Sequence, residues 1–332
     1  MNTDLSEADL LTYRSAQVDP VDFDEFWADT IAEAREKASA PVIVRVETPL
    51  TSIEVYDVTF SGFNGDPIRG WLRVPAGATT PLPAIVEFIG YGGGRGHALE
   101  NLLWASAGFV SFHMDTRGQG SSWSQGDTDD PAGTGPQHPG VMTRGISSKE
   151  TYYYRRLFTD AVRAIDTVRG LDQVDAGSVA VYGASQGGGI ALAVGGLVGG
   201  LAAVAPRVPF LCDFQRATRI TDEDPYREIA SYLAVHRDQV EATHNVLAYF
   251  DGVNFAKRAT APALFSASMM DAICPPSTVF GAFHEYAGAK DISLWEYNGH
   301  EGGGIVDYEL ALAFFASAFA APAVAAPVEL LA

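Results

Sequence analysis

The chain has 332 residues, of which 47% are hydrophobic and 19% charged, an ordinary globular balance with length for one large α/β domain or two smaller ones. Its formal net charge of −19 argues against nucleic acid, whose binding rests on Lys and Arg neutralising phosphates, and against anionic membrane surfaces. The balance fits a protein that acts on neutral or cationic small molecules.

The N-terminal stretch MNTDLSEADLLTYRSAQ carries acids where a signal peptide needs a basic region and an apolar core, so a cytoplasmic location is expected. Residues 1–20 read as an arm. DFDEFWADTIAEAREKAS is the first clear helix, with Asp22 and Glu25 in a capping-box pattern and Phe23, Phe26, Trp27 and Ile31 on one face. Alternation on both sides of Asn64-Gly65-Asp66 predicts a β-hairpin. PAIVEFIGY and GFVSFHMDT are nearly continuous apolar runs, the pattern of strands buried on both faces. HALENLLWASA between them reads as a helix. Residues 121–150 are rich in Gly, Pro, Asp and Thr and read as an ordered loop. TYYYRRLFTDAVRAIDTVRGL is an amphipathic helix with Tyr154, Leu157, Phe158, Ala161, Ile165 and Val168 near helical spacing.

The strand SVAVYG follows. Gly187 to Ala205 is then uncharged and long enough to cross a bilayer. Its seven glycines make it a buried helix, a glycine turn and a buried strand instead. Residues 213–258 are charged and read as inserted helices above the C-terminal ends of the strands, the edge where open α/β sheets bind ligands. PALFSASMMD and ISLWEYNG read as strands and GIVDYELALAFFASAFA as the last helix. Leu310 to Val328 is apolar but broken by Pro322 and Pro327, so a terminal helix and a tail over 321–332 are expected rather than a membrane span. Strands alternating with helices imply a mostly parallel sheet covered on both faces, in a single domain over residues 1–332. Cys212 and Cys274 read as buried free thiols.

Gly183-Ala184-Ser185-Gln186-Gly187 fits G-x-S-x-G at the junction of a strand and a helix. A sharp strand-to-helix turn puts the serine in a strained conformation, and its neighbours two away must have almost no side chain. Ser185 is the candidate nucleophile; a glycine-packed turn with an idle serine is the bland alternative. A serine needs a base and an orienting acid, which in this chain order follow it as acid, then histidine. Of the downstream histidines, His236 and His244 fall in the charged insertion on expected solvated faces, and His284 ends a helix. His300 hangs on the loop after ISLWEYNG and is the candidate base. Asp271, ending PALFSASMMD, is the candidate acid, although it could instead cap the helix near Pro275. Asp115 reads as a structural partner for Arg117. No paired ligand spacing points to a metal. Phe210, Phe214 and Ile273 are candidate walls for a small acyl pocket, with plain core packing as the competing reading.

Arg117-Gly118-Gln119-Gly120, G-x-S185-Q-G and His300-Glu301 together are specific. With GYGGGRG, MDTRGQG, HPGVMTRGI, ICPPSTVF and GHEGGG around them, the chain resembles carbohydrate esterase family 7, acetyl xylan esterases and cephalosporin C deacetylases, from about Pro20 to Ala320. The resemblance implies an α/β-hydrolase fold and a triad of Ser185, Asp271 and His300. It further implies an oxyanion hole from the backbone N–H groups of Tyr91 and Gln186. It also implies hydrolysis of acetyl esters on small sugars and on cephalosporin C, no cofactor, and a hexameric ring. A different acyl hydrolase, such as a lactone hydrolase or peptidase, and a non-catalytic binding protein are the alternatives.

Overall fold

The structure is a computed structural model and describes residues 3–132 and 135–320. The N-terminal arm carries α1 (Glu7–Thr12), followed by α2 (Phe23–Glu36). Three strands come next: β1 (Val42–Val46), β2 (Ile53–Ser61) and β3 (Pro67–Pro75). Then follow β4 (Leu82–Phe88), α3 (Leu103–Ser106), β5 (Val110–Met114), α4 (Tyr153–Arg169), β6 (Val174–Ala184), α5 (Gln186–Leu197) and β7 (Ala203–Arg207). The insertion supplies α6 (Phe214–Ile220), α7 (Tyr226–Val235), α8 (Val240–Leu247) and α9 (Gly252–Ala256). The chain closes with β8 (Ala263–Ser268), α10 (Pro276–Glu285), β9 (Lys290–Trp295) and α11 (Ile305–Ala320).

The described strands form one sheet in the order β1-β2-β3-β5-β4-β6-β7-β8-β9. From β5 to β9 every pairing is parallel; β1, β2 and β3 extend it as an antiparallel edge. The hairpin falls where the alternation put it. Ser61 faces Pro67 across a 3₁₀ turn in which Asn64 and Gly65 take left-handed φ values of 57° and 81°. One sheet face is covered by α2, α4, α5, α9 and α10, in a continuous core that includes Trp27, Phe158, Ile190 and Phe255. The other face is covered by α3 and α11 through Trp104, Ala311 and Phe315.

Two expectations near the N-terminus change. Asp22 makes no capping hydrogen bond to α2; its carboxylate is drawn instead to the Lys149 ammonium and the Tyr249 hydroxyl. The helix expected across HALENLLWASA shrinks to the single turn of α3. Gly96 and Asn101 turn left-handed there, and the Glu100 carboxylate folds back onto the His97 N–H at 2.8 Å, which takes the local backbone out of the helical path.

The loop over 121–150 contains no helix or strand among its described residues, yet it is pinned by charge. Arg95 binds Asp127, and Asp130 receives Arg156 and Arg144. Arg117 does hold loops together, but not through Asp115. Its buried guanidinium pairs with Asp160, Asp66 and Asp130, while Asp115 accepts from the N–H groups of Arg95, Thr116 and Asp127. Within the insertion, α9 does not stand over the site. It returns to pack on α5, where a Cβ on Gly196 would sit 2.5 Å from the Phe255 carbonyl. The arm is anchored: Thr3 donates to Asp271 O, Asp4 takes the Ser277 N–H and Arg216, and Tyr13 donates to Asp213 at 2.7 Å. Cys212 and Cys274 are free and buried. No described helix is long and apolar enough to cross a membrane. The tail expected over 321–332 lies outside the described residues.

Candidate active site

Ser185 caps α5 with φ 56° and ψ −121°, a left-handed conformation costing a side-chain-bearing residue roughly 1–3 kcal/mol. The two flanking glycines are there for space. A Cβ on Gly183 would meet the backbone of Gly187 at 2.2 Å, and one on Gly187 would meet the Phe88 carbonyl at 2.1 Å. The G-x-S-x-G spacing is thus a steric requirement of the turn from β6 into α5, and the turn places Ser185 at a helix N-terminus, where free N–H groups favour negative charge.

Asp271 follows β8 and is fully buried. Its Oδ1 accepts the N–H groups of Ile273 and Cys274 at 2.9 and 2.8 Å, and its Oδ2 lies 2.9 Å from His300 Nδ1. The cap reading of Asp271 is therefore half right: one oxygen holds the following turn and the other orients a histidine. His300, half-buried, hangs on the loop after β9. Ser185 and His300 line one cavity with Tyr91, Trp123, Pro225 and Ile273. Among the described residues no hydrogen bond joins Ser185 Oγ to His300, a contact that is often long before substrate binds. Cys274 brings its thiol into the same group, so that Asp271, Cys274 and His300 each offer an atom within 4.8 Å of the others. Burial, with the Asp271 charge, pushes that thiol well up, and the carboxylate is already engaged on both oxygens. The donor set suits an oriented imidazole better than a metal.

Tyr91 is held on each side. Its hydroxyl donates to Glu228 at 2.6 Å and accepts the Val141 N–H at 2.7 Å, and its carbonyl takes the Trp123 indole at 2.8 Å. Its own N–H and that of Gln186 have no partner among the described residues. Gln119 of the RGQG stretch ties the two loops together. Its Oε1 accepts the Gly92 N–H at 2.7 Å, and its Nε2 donates to Gln186 Oε1 and to the Tyr153 hydroxyl at 2.9 Å each.

Of the three expected pocket walls, only Ile273 lines the cavity. Phe210 and Phe214 are fully buried and pack edge-to-face on Tyr226, so core packing is their role. Trp123, Pro225 and the supporting Glu228 and Gln119 were missed. Trp123 and Pro225 sit in irregular or inserted segments without periodicity, but Gln119 lay inside a motif already singled out. His236 and His244 do not line the cleft and are half-buried rather than solvated: His236 stacks on Tyr232, and burial pushes the His244 imidazole down. His284 sits in the last turn of α10 and contacts the Leu10 carbonyl at 3.0 Å.

Residues 1–318 match the family model described as acetyl xylan esterase (AXE1). The chain belongs to the acetyl xylan esterase family. An acetyl xylan esterase from Paenibacillus sp. R4 is 38% identical, covering 94% of this chain and 99% of that one, with a TM-score of 0.89. Acetyl xylan esterase 1 from Thermoanaerobacterium sp. JW/SL YS485 is 31% identical over 95% and 99% of the two chains, with a TM-score of 0.87. The curated relative acetyl esterase Axe7A of Xylanibacter ruminicola is 25% identical over 290 residues; the match takes in 85% of this chain and spans 63% of that protein's length. An acylaminoacyl peptidase from Pyrococcus horikoshii, at 18% identity and a TM-score of 0.59, shares the fold alone. The family member thus has the α/β-hydrolase fold implied by its motifs, with a mostly parallel sheet under helices on both faces.

Proposed function

We propose that this chain is a serine esterase that removes acetyl groups from small acetylated sugars such as xylo-oligosaccharides. The observation that carries the reading is the Asp271–His300 pair, 2.9 Å apart, on the cavity that Ser185 enters from its left-handed turn. His300 takes the Ser185 proton while Asp271 holds the tautomer and steadies the imidazolium. Ser185 Oγ attacks the acetyl carbonyl. The N–H groups of Tyr91 and Gln186 receive the oxyanion, each worth about 3–4 kcal/mol by analogy with other oxyanion donors. His300 then gives the proton to the departing alcohol, and water activated by the same imidazole releases acetate. No cofactor is required for this chemistry.

Family membership supports acetyl ester hydrolysis, and cephalosporin C-like acetyl esters are a second substrate class that the same chemistry accommodates. We further propose that residues 1–332 form one catalytic domain, because all described strands join one sheet. The hexamer and the cytoplasmic location remain proposals resting on the family resemblance and on two free thiols; light scattering of the purified protein tests the first. Initial rates on acetyl, butyryl and octanoyl esters of p-nitrophenol test the acyl preference. A steep fall beyond acetyl supports the reading, and equal rates reject it in favour of a broader acyl hydrolase.

A further inference from the structure

The cavity beside Ser185 has a volume of about 460 Å³, within the range of pockets that take whole small molecules, about 300–1,000 Å³. An acetyl group alone leaves most of that space unused. Away from Trp123, Pro225 and Ile273 the cavity runs along the sheet face covered by α3 and α11, and there its lining turns polar: Glu87, His113, Asn101, Arg207 and Tyr308. Strand register explains why these side chains converge. Glu87 of β4 lies beside His113 of β5, and Ala184 of β6, one residue before Ser185, lies beside Arg207 of β7. Neighbours in a parallel register point to the same face; Glu87 pairs with Tyr182 on β6, two residues before Ala184, so both pairs lie on the face that leads to the serine turn.

These groups are not merely a satisfied internal network. Glu87 and His113 are 8% and 5% exposed. Glu87 Oε2 accepts the Trp104 indole N–H at 2.9 Å. Its other oxygen accepts no hydrogen bond among the described residues. Asn101 Nδ2 lies 3.3 Å from His113 Nε2; with the amide donating, the imidazole proton sits on Nδ1. That Nδ1 is buried without a partner and is 3.6 Å from Glu87, too far for a hydrogen bond. Burial opposes the Glu87 charge, but His113, the Trp104 N–H and Arg73 outweigh it and hold the carboxyl below its usual range. Arg207 is fixed by its ion pair with Asp307 at 2.8 Å. A carboxylate oxygen left open onto a cavity, in a residue that is otherwise buried, is costly unless a ligand completes it.

We infer that this polar recess is the subsite for the hydroxylated alcohol of the ester, in which the free oxygen of Glu87 accepts from sugar hydroxyls. A carboxylate facing a vicinal diol, with a fixed cation and the Tyr308 ring nearby, fits a pyranose, whereas a p-nitrophenyl group has no hydroxyl to donate to Glu87. The inference deepens the acetyl-sugar reading and rests on it.

The test is the ratio of kcat/KM on acetylated xylobiose to kcat/KM on p-nitrophenyl acetate, for wild type, Glu87→Gln and Asn101→Gly, with thermal melting of each. Asn101→Gly keeps the left-handed backbone at that position and guards against a folding failure of the buried Glu87 variant. Loss of a charged acceptor for a hydroxyl predicts a fall in the ratio of about 10- to 100-fold for Glu87→Gln, and a smaller fall for Asn101→Gly. The loss is expected mainly in KM for the sugar ester. A wild type that cleaves both substrates, with ratios unchanged in both variants or with both rates falling in parallel, overturns the subsite alone. A wild type that cleaves p-nitrophenyl acetate but no acetylated sugar overturns the acetyl-sugar reading, and the subsite with it.

Discussion

Asp271→Asn isolates the role of one oxygen. In the native site Oδ1 is committed to two backbone donors, Ile273 and Cys274, and Oδ2 to His300 Nδ1. An asparagine has one acceptor and one donor group. Two N–H groups on one side fix its carbonyl there, so its NH₂ must face His300. The imidazole then answers with an unprotonated Nδ1 and carries its proton on Nε2, the wrong tautomer for taking a proton from Ser185. Fold and substrate binding stay intact, while the base is disabled and its imidazolium loses a carboxylate. In serine-hydrolase triads of this kind the loss is about 10⁴-fold in kcat, or about 5 kcal/mol of transition-state stabilisation. The assay is kcat and KM on p-nitrophenyl acetate at neutral pH, with a melting curve to establish folding. A folded variant that loses less than about tenfold would refute the assignment of Asp271 as the orienting acid.

Asp160→Asn should destabilise without touching the chemistry. Asp160 and Arg117 are fully buried partners, and breaking such a pair costs about 3–5 kcal/mol because it strands a charge. Asp66 and Asp130 remain beside Arg117, which points to the lower end. With an unfolding entropy of about 0.7 kcal/mol/K for this length, Tm should drop by about 4 °C; a shift below about 1 °C contradicts the network's role. Asp251 gives a pH signature. Burial, and then Asp213, push its carboxyl up to about 7 against the N–H donors of Phe214, Val253 and Asp213. The folded chain therefore keeps a proton that the unfolded chain has released, and this contribution to stability is lost as pH rises through about 7. Tm measured from pH 5 to 8.5 should fall in that window, and less so in Asp213→Asn; a rise across it would contradict the assignment.

The fold was largely legible because its determinants are local or periodic. Continuous apolar runs gave β4 to β8, and the glycine-rich run after Ser185 resolved into α5 and β7 because paired glycines stop a helix. The proposed triad of Ser185, Asp271 and His300 was chosen on similar grounds: each member follows a strand that periodicity had located, and chain order limited the choices. What escaped was set by contacts distant in sequence. Phe210 and Phe214 follow a strand end near the site but turn into the core against Tyr226 of the insertion. Asp115 and Arg117 stand two residues apart just after β5 yet take different partners distant in sequence, Asp115 the N–H groups of Arg95 and Asp127 and Arg117 the carboxylates of Asp66, Asp130 and Asp160. Glu87 and His113 lie in strands whose apolar neighbours made them look like interruptions. Only the β4–β5 register brings them together beside the serine.

The most direct test of the central claim is covalent. The purified protein is incubated with a serine-reactive phosphonate, and the adduct is located by peptide mass spectrometry. Stoichiometric labelling of Ser185, lost in Ser185→Ala together with esterase activity, is the predicted result. Absence of labelling, or retained activity in Ser185→Ala, would mean that the strained turn after β6 is a packing device and that the chemistry lies elsewhere.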